Sequence, residues 1–133
     1  MCLGELKRFK VEPTHTDGSV KGWKVFGVAC GQLKSQYYDR HYTPKKEWNV
    51  DDAPYNISIF GCPGGFKMYP SGFHVFTTKA GANRWNCSSL KTAVVPVYYM
   101  PKDVVAKGIQ QNKKVVVVKR MWIEPHDYDA AVK

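Results

Sequence analysis

Residues 113–124 read Lys113-Lys114-Val115-Val116-Val117-Val118-Lys119-Arg120-Met121-Trp122-Ile123-Glu124, and this run decides the fold. Four β-branched residues in succession are stiff at χ1, which disfavours a helix and suits a pleated surface. Apolar character without alternation predicts a strand buried on both faces, so Val115 to Val118 should lie inside a sheet. No other stretch of the chain is β-like for as long.

Upstream, residues 93–100 (Ala93-Val94-Val95-Pro96-Val97-Tyr98-Tyr99-Met100) form a second firm strand. Pro96 has no N–H to give a ladder, which predicts an edge or a bulge and offers an edge for pairing with a second copy. Between these strands, Val104-Val105-Ala106 and Gly108 predict a short strand and a turn. Phe73-His74-Val75-Phe76-Thr77, after Pro70-Ser71-Gly72, reads as a short central strand, and residues 55–60 as another, closed by Gly61-Cys62-Pro63-Gly64-Gly65. Residues 23–29 are rich in β-formers between Gly22 and Gly31, and Asp17-Gly18 predicts a hairpin from residues 7–11 into them. One helix is expected, capped by Thr78 and running from Lys79 to about Cys87, with Ala82 and Trp85 on one face. Residues 127–133 are expected to fray. The reading is an α+β single domain over residues 1–133, mainly a strongly bent antiparallel β-sheet with one short helix.

Composition narrows the function. Lys and Arg number 20 against 11 Asp and Glu, a net charge of +9, beside 8 Tyr, 6 Phe and 4 Trp. Cations attract phosphate and flat rings stack on bases, so the expected partner is a nucleotide or nucleic acid. The charge is spread along the chain, so a cationic patch has to be assembled by folding. No apolar run approaches the roughly 18 residues that cross a bilayer, and the first residues hold an early acid and no apolar signal core. A soluble, cytoplasmic protein without a membrane partner is expected. Cys2, Cys30, Cys62 and Cys87 form no CxxC pair, so no metal site and no cofactor are expected, and buried free thiols in a reducing compartment fit better than disulfides.

The densest polar-aromatic segment is Tyr37-Tyr38-Asp39-Arg40-His41-Tyr42, followed by Pro44-Lys45-Lys46-Glu47-Trp48. Candidate stacking surfaces are Trp23, Tyr37, Tyr38 and Trp48. Candidate phosphate contacts are Lys24, Arg40, Lys45 and Lys46, with His41 beside them. His74 and Phe76 should share one face of their strand, opposite Phe73 and Val75, which makes His74 a candidate hydrogen-bonding group for the ligand. Nucleophile-elbow, Walker, dinucleotide and zinc-protease motifs are all missing, so the chain reads as non-enzymatic with no catalytic residue assigned. An alternative reading is a cysteine nucleophile with a histidine partner, if Cys30, Cys62, His41 and His74 converge.

Met1-Cys2-Leu3, Trp23-Lys24-Val25-Phe26, Leu33-Lys34-Ser35-Gln36-Tyr37-Tyr38 and Gly72-Phe73-His74-Val75-Phe76 together resemble, in this order, a group of small bacteriophage-type proteins. Those open with Met-Cys-Leu, carry a Gly-Phe-His-Ser-Phe strand and end on a valine- or isoleucine-rich strand. Here Gln36 stands for the usual proline and Val75 for the usual serine. The resemblance implies a phage accessory protein of the host cytoplasm that acts by binding. It would recognise a nucleotide or nucleic acid or, as the alternative, dock on a host defence protein. The second alternative is a small ADP-ribosyltransferase-like enzyme, although the glutamate-rich signature of that class is missing.

Overall fold

A computed structural model of the chain describes residues 3–35, 44–51, 56–59, 67–85, 91–110 and 112–133. The strands are β1 (Glu5–Leu6), β2 (Val20–Ala29), β3 (Gln32–Lys34), β4 (Glu47–Val50), β5 (Asn56–Ile59), β6 (Lys67–Pro70), β7 (Phe73–Phe76), β8 (Thr92–Tyr99), β9 (Val104–Gln110), β10 (Lys113–Val118) and β11 (Arg120–Ile123). Two helices, α1 (Lys79–Trp85) and α2 (Pro125–Ala131), complete the described elements, with a single 3₁₀ turn at Pro101–Asp103.

The valine run behaves as its composition dictates. Val115 to Val118 have no exposed surface, with Val116 and Val118 in one apolar cluster and Val115 and Val117 in another. The run is not one straight strand, however. It bends at Lys119, whose N–H donates to Asp103 O at 3.0 Å while its carbonyl accepts from Asp51 N at 2.8 Å.

That bend organises the whole sheet. Pairing is antiparallel in the order β1-β9-β10-β7-β2-β8-β11-β4, with β3 on β2 and a separate β5-β6 pair. Strands β7, β2 and β8 stand between β10 and β11 in the ladder, yet only Lys119 separates them along the chain. Four steps across a flat sheet would cover about 19 Å at about 4.8 Å each, far more than one residue spans. The sheet therefore curls until β10 and β11 meet, and the chain itself closes the ring. This is the expected bent antiparallel α+β fold in a more extreme form.

Each surface of the curled sheet has its own core. The enclosed side holds Val20, Phe26, Phe73, Val75, Val95, Val97, Val116, Val118, Met121 and Ile123, with Tyr128 of α2 and Leu33 of β3 packed among them. The outer side packs Val25, Phe76, Val115 and Val117 under Leu3, Ala82 of α1 and Tyr69 of β6. Thr78 caps α1 as expected, accepting from Gly81 N at 3.0 Å through its Oγ1. The ring is thinly stitched at two places: β2 meets β7 only at Trp23↔Phe76, and β8 meets β11 only at Tyr98↔Trp122. At the first seam Gly22 is required, because a Cβ there would collide with Val75 Cγ1 and press on Phe76 O.

Four expectations are corrected. Strand β8 is interior, flanked by β2 and β11, and not the expected edge. Pro96 is tolerated because the β11 ladder is confined to Tyr98, two residues further on. No hairpin joins residues 7–11 to β2: β1 instead pairs with β9, and Phe9 and Val11 pack on the enclosed core. The turn at Gly18 does form, with φ at +89° and Asp17 Oδ1 accepting from Ser19 N and Oγ. Strand β9 runs through Gly108 to Gln110 instead of turning there. Residues 125–131 are helical rather than frayed, because Pro125 starts a turn that buries Tyr128, whose hydroxyl accepts from Leu33 N at 3.2 Å.

Candidate functional site

Beyond α1 and the β5-β6 pair, the outer face of the sheet is aromatic, and among the described residues no further element packs over it. The register sets Lys21 opposite Tyr98, Tyr98 opposite Trp122, and Trp122 opposite Trp48, one row across β2, β8, β11 and β4. Directly opposed side chains share a face, so the rings are forced into contact. Tyr98 and Trp122 stack at 5.6 Å between centroids with 19° between planes, and Trp122 meets Trp48 at 5.1 Å and 53°. His15 closes the far end, edge-on to Tyr98 at 5.3 Å. Trp48 and Val50, at the outer strand, are 47% and 59% exposed.

Charge brackets the row unevenly. On β11 the outward positions are Arg120, Trp122 and then Glu124 just beyond the strand, a cation, a ring and a carboxylate at alternate residues. The Arg120 guanidinium lies over Trp48 at 4.6 Å, and Lys21 Nζ lies over Trp23 at 5.6 Å. Trp122 Nε1 donates to Glu124 Oε1 at 3.3 Å. Beside them opens a cleft of about 310 Å³ lined by Glu47, Trp48, Trp122, Ile123, Glu124 and Pro125. Partial burial, with Asp127 and Glu124 adding to it, raises the Tyr98 phenol above its ordinary range, so it stays a neutral donor. Glu47 holds a left-handed backbone, φ +67°, at the lip of the cleft.

No family model, curated protein or solved structure matches this chain.

Of the expected site residues, Trp23 and Trp48 do share this face. Lys45 is exposed, its backbone bracketed by the Asn49 side chain, which accepts from Lys45 N and donates to Lys45 O, both at 2.9 Å. Lys46 turns to the other side of the sheet, 2.6 Å from Asp129 of α2 and over the Tyr128 ring. Tyr37, Tyr38, Arg40 and His41 lie outside the described residues, as do Cys2, Cys62 and Cys87. Lys21, Tyr98, Arg120 and Trp122 were not anticipated as site residues. Their signal was present: Trp122 alternates with the buried Met121 and Ile123, and Tyr98 with Val97 and Tyr99.

Lys24 and His74 are not at the surface at all. Lys24 is 1% exposed and His74 4%. The β2-β7 ladder stops after Trp23↔Phe76, and Lys24 Nζ reaches across the opened seam to donate to His74 O at 2.9 Å. The imidazole faces the other way, as alternation requires, and its Nε2 pairs with Tyr69 Oη at 2.9 Å. Tyr69 Oη also accepts from Leu3 N at 2.9 Å, so its own proton goes to Nε2 of a neutral ring. Burial, and then the charge of Lys24, push the His74 imidazole down to about 3, while a hydrogen bond to the Gly72 backbone opposes the shift. Burial alone brings Lys24 to about 7. These groups hold the seam and the amino-terminal segment together.

For the alternative of a cysteine–histidine pair, Cys30 and His74 are the two members among the described residues. Cys30 sits exposed in the β2-β3 turn with φ +54°, correcting its expected burial, whereas His74 is enclosed. Among the described residues no helix is long and apolar enough to cross a membrane.

Proposed function

We propose that this protein binds single-stranded nucleic acid, or a nucleotide, on the outer face of β2, β8, β11 and β4, without chemistry of its own. The observation that supports this most is the continuous row of Tyr98, Trp122 and Trp48 on the outer sheet face. A sheet whose rings project outward accepts unpaired bases, each stacking contact contributing roughly 1–3 kcal/mol. The net charge of +9 supplies the attraction for phosphate, with Lys21 and Arg120 at the row itself. The phage-type resemblance adds a context, an accessory protein that works by sequestering or coating its ligand.

Fluorescence anisotropy with labelled single-stranded oligonucleotides tests the assignment. Trp48→Ala and Trp122→Ala should each weaken binding by about fivefold to a hundredfold, and Lys45→Ala by less, with circular dichroism confirming the fold of each variant. A lysine change that outweighs both ring changes refutes stacking as the main source of affinity.

A second reading has its own observation: Trp48 and Val50 are exposed on the last strand of the sheet, as anchors for a protein partner would be. Salt separates the two. Affinity for nucleic acid falls steeply as ions compete for phosphate, whereas docking centred on Trp48 responds weakly.

A further inference from the structure

The carboxylates at the cleft sit badly with a site meant for phosphate alone. Glu47 and Glu124 line the cleft together with Trp48 and Trp122, while Arg120 lies over the Trp48 ring. Along β11 the sequence of outward groups is guanidinium, indole and carboxylate, and four residues of strand span about 13 Å. A nucleotide has the same polarity over a comparable length: an anionic phosphate, a flat base, and a Watson–Crick edge.

We infer that the cleft selects guanine, with the base against Trp122 and Trp48, its phosphate toward Arg120, and its N1–H and N2–H donors received by Glu124 and Glu47. The inference rests on the nucleic-acid reading of the same face. Carboxylates only accept hydrogen bonds, so they favour the base whose pairing edge presents two adjacent donors. Adenine and uracil present an acceptor beside a donor, and a lone pair facing a carboxylate repels it. Glu124 is already oriented, because one oxygen accepts from Trp122 Nε1 and leaves the second for the ligand. The same charges keep the phosphate backbone off this side of the row and so set the direction in which a strand crosses it.

The test uses single-stranded 5-mers with thymine or uracil flanks, in deoxyribose and ribose forms, whose central base is guanine, hypoxanthine, adenine or the flanking pyrimidine. Hypoxanthine keeps N1–H and lacks the N2 amino group. The full-length protein should bind the guanine probe roughly tenfold more tightly than the hypoxanthine probe, and adenine more weakly still. Glu124→Gln and Glu47→Gln should each lower affinity for the guanine probe and raise it for the all-pyrimidine probe, because a negative charge is lost. Two-dimensional NMR should show the Trp122 indole N–H moving on addition of the guanine probe. Equal affinity for all four central bases overturns the guanine assignment and leaves the stacking platform standing. A uniform gain for all probes in the glutamine variants also overturns it, since the carboxylates would then act only as repulsive charge. Failure of every 5-mer to bind overturns the platform itself.

Discussion

Replacing Lys24 by methionine should stabilise this protein, and by an amount that depends on pH. Lys24 is enclosed on the inner side of the ring, at 1% exposure, with its ammonium donating to the His74 carbonyl. Burial lowers it from 10.5 to about 7. At about 1.36 kcal/mol per pH unit, keeping the side chain in this interior costs the folded state about 5 kcal/mol near neutrality relative to the unfolded chain. Methionine has a similar length and no charge to desolvate, but it leaves the His74 carbonyl without this donor, a loss of about 1–3 kcal/mol. A net gain of about 2–4 kcal/mol at pH 7 follows. The sign with pH is definite. Between about 7 and 10.5 the unfolded chain binds the proton and the folded chain does not, so wild-type stability climbs with pH across that window. Below about 7 both states are protonated and the full penalty persists. Urea titrations followed by tryptophan fluorescence at pH 7 and 9.5 measure this directly. Wild type should gain about 3 kcal/mol over that interval from Lys24, and the gap between wild type and Lys24→Met should shrink by the same amount. A gap that stays constant from pH 7 to 9.5 refutes the idea that the interior lowers this amine.

Two further perturbations probe the same seam. Tyr69→Phe strands Leu3 N and His74 Nε2 in the interior together, and should cost about 2–4 kcal/mol in urea unfolding at pH 7. Gly22→Ala drives a methyl into Val75 and the Phe76 carbonyl at the β2-β7 bridge, and a loss of about 3 kcal/mol or more is expected in thermal or urea melts.

How much of this was legible in the sequence depends on the range of the interaction involved. The burial of Val115 to Val118 was readable because continuous β-branched residues have few other uses, and so was the Thr78 cap, a contact between near neighbours. The ring was not readable, because nothing in the text of residues 113–124 announces that Lys119 will pair with both Asp103 and Asp51. Pro96 misled for the same reason: a proline predicts a missing ladder bond, and here the gap lies beside an interior strand whose neighbour is stitched at one residue. At the site, Trp23 and Trp48 were read as candidate stacking rings and do share this face, but Lys24 was read by its charge. In strand β2 the enclosed side takes every second residue, Val20, Gly22, Lys24 and Phe26, and position decided against charge. His74 follows the same rule, since a four-residue strand buried throughout leaves its imidazole no route to solvent.

One backbone event thus links the architecture to the proposed surface. If β10 continued straight past Lys119, Arg120 and Trp122 would extend the β7-β9 side of the sheet and never meet Tyr98 or Trp48. The bend carries residues 120–123 across to β8 and β4, which places Met121 and Ile123 in the enclosed core and turns Arg120 and Trp122 outward. Ring closure and the aromatic row are therefore the inner and outer consequences of the same four residues. The inner pair is fully buried, so it anchors β11 rigidly and holds the Trp122 indole in register with its neighbours on both sides. A stacking platform needs that rigidity, because a ring already ordered by its own strand loses little side-chain entropy when a base settles on it. The exposed cations add attraction at long range. Affinity on this face should follow the rings, and the order of the bases along it should follow the carboxylates.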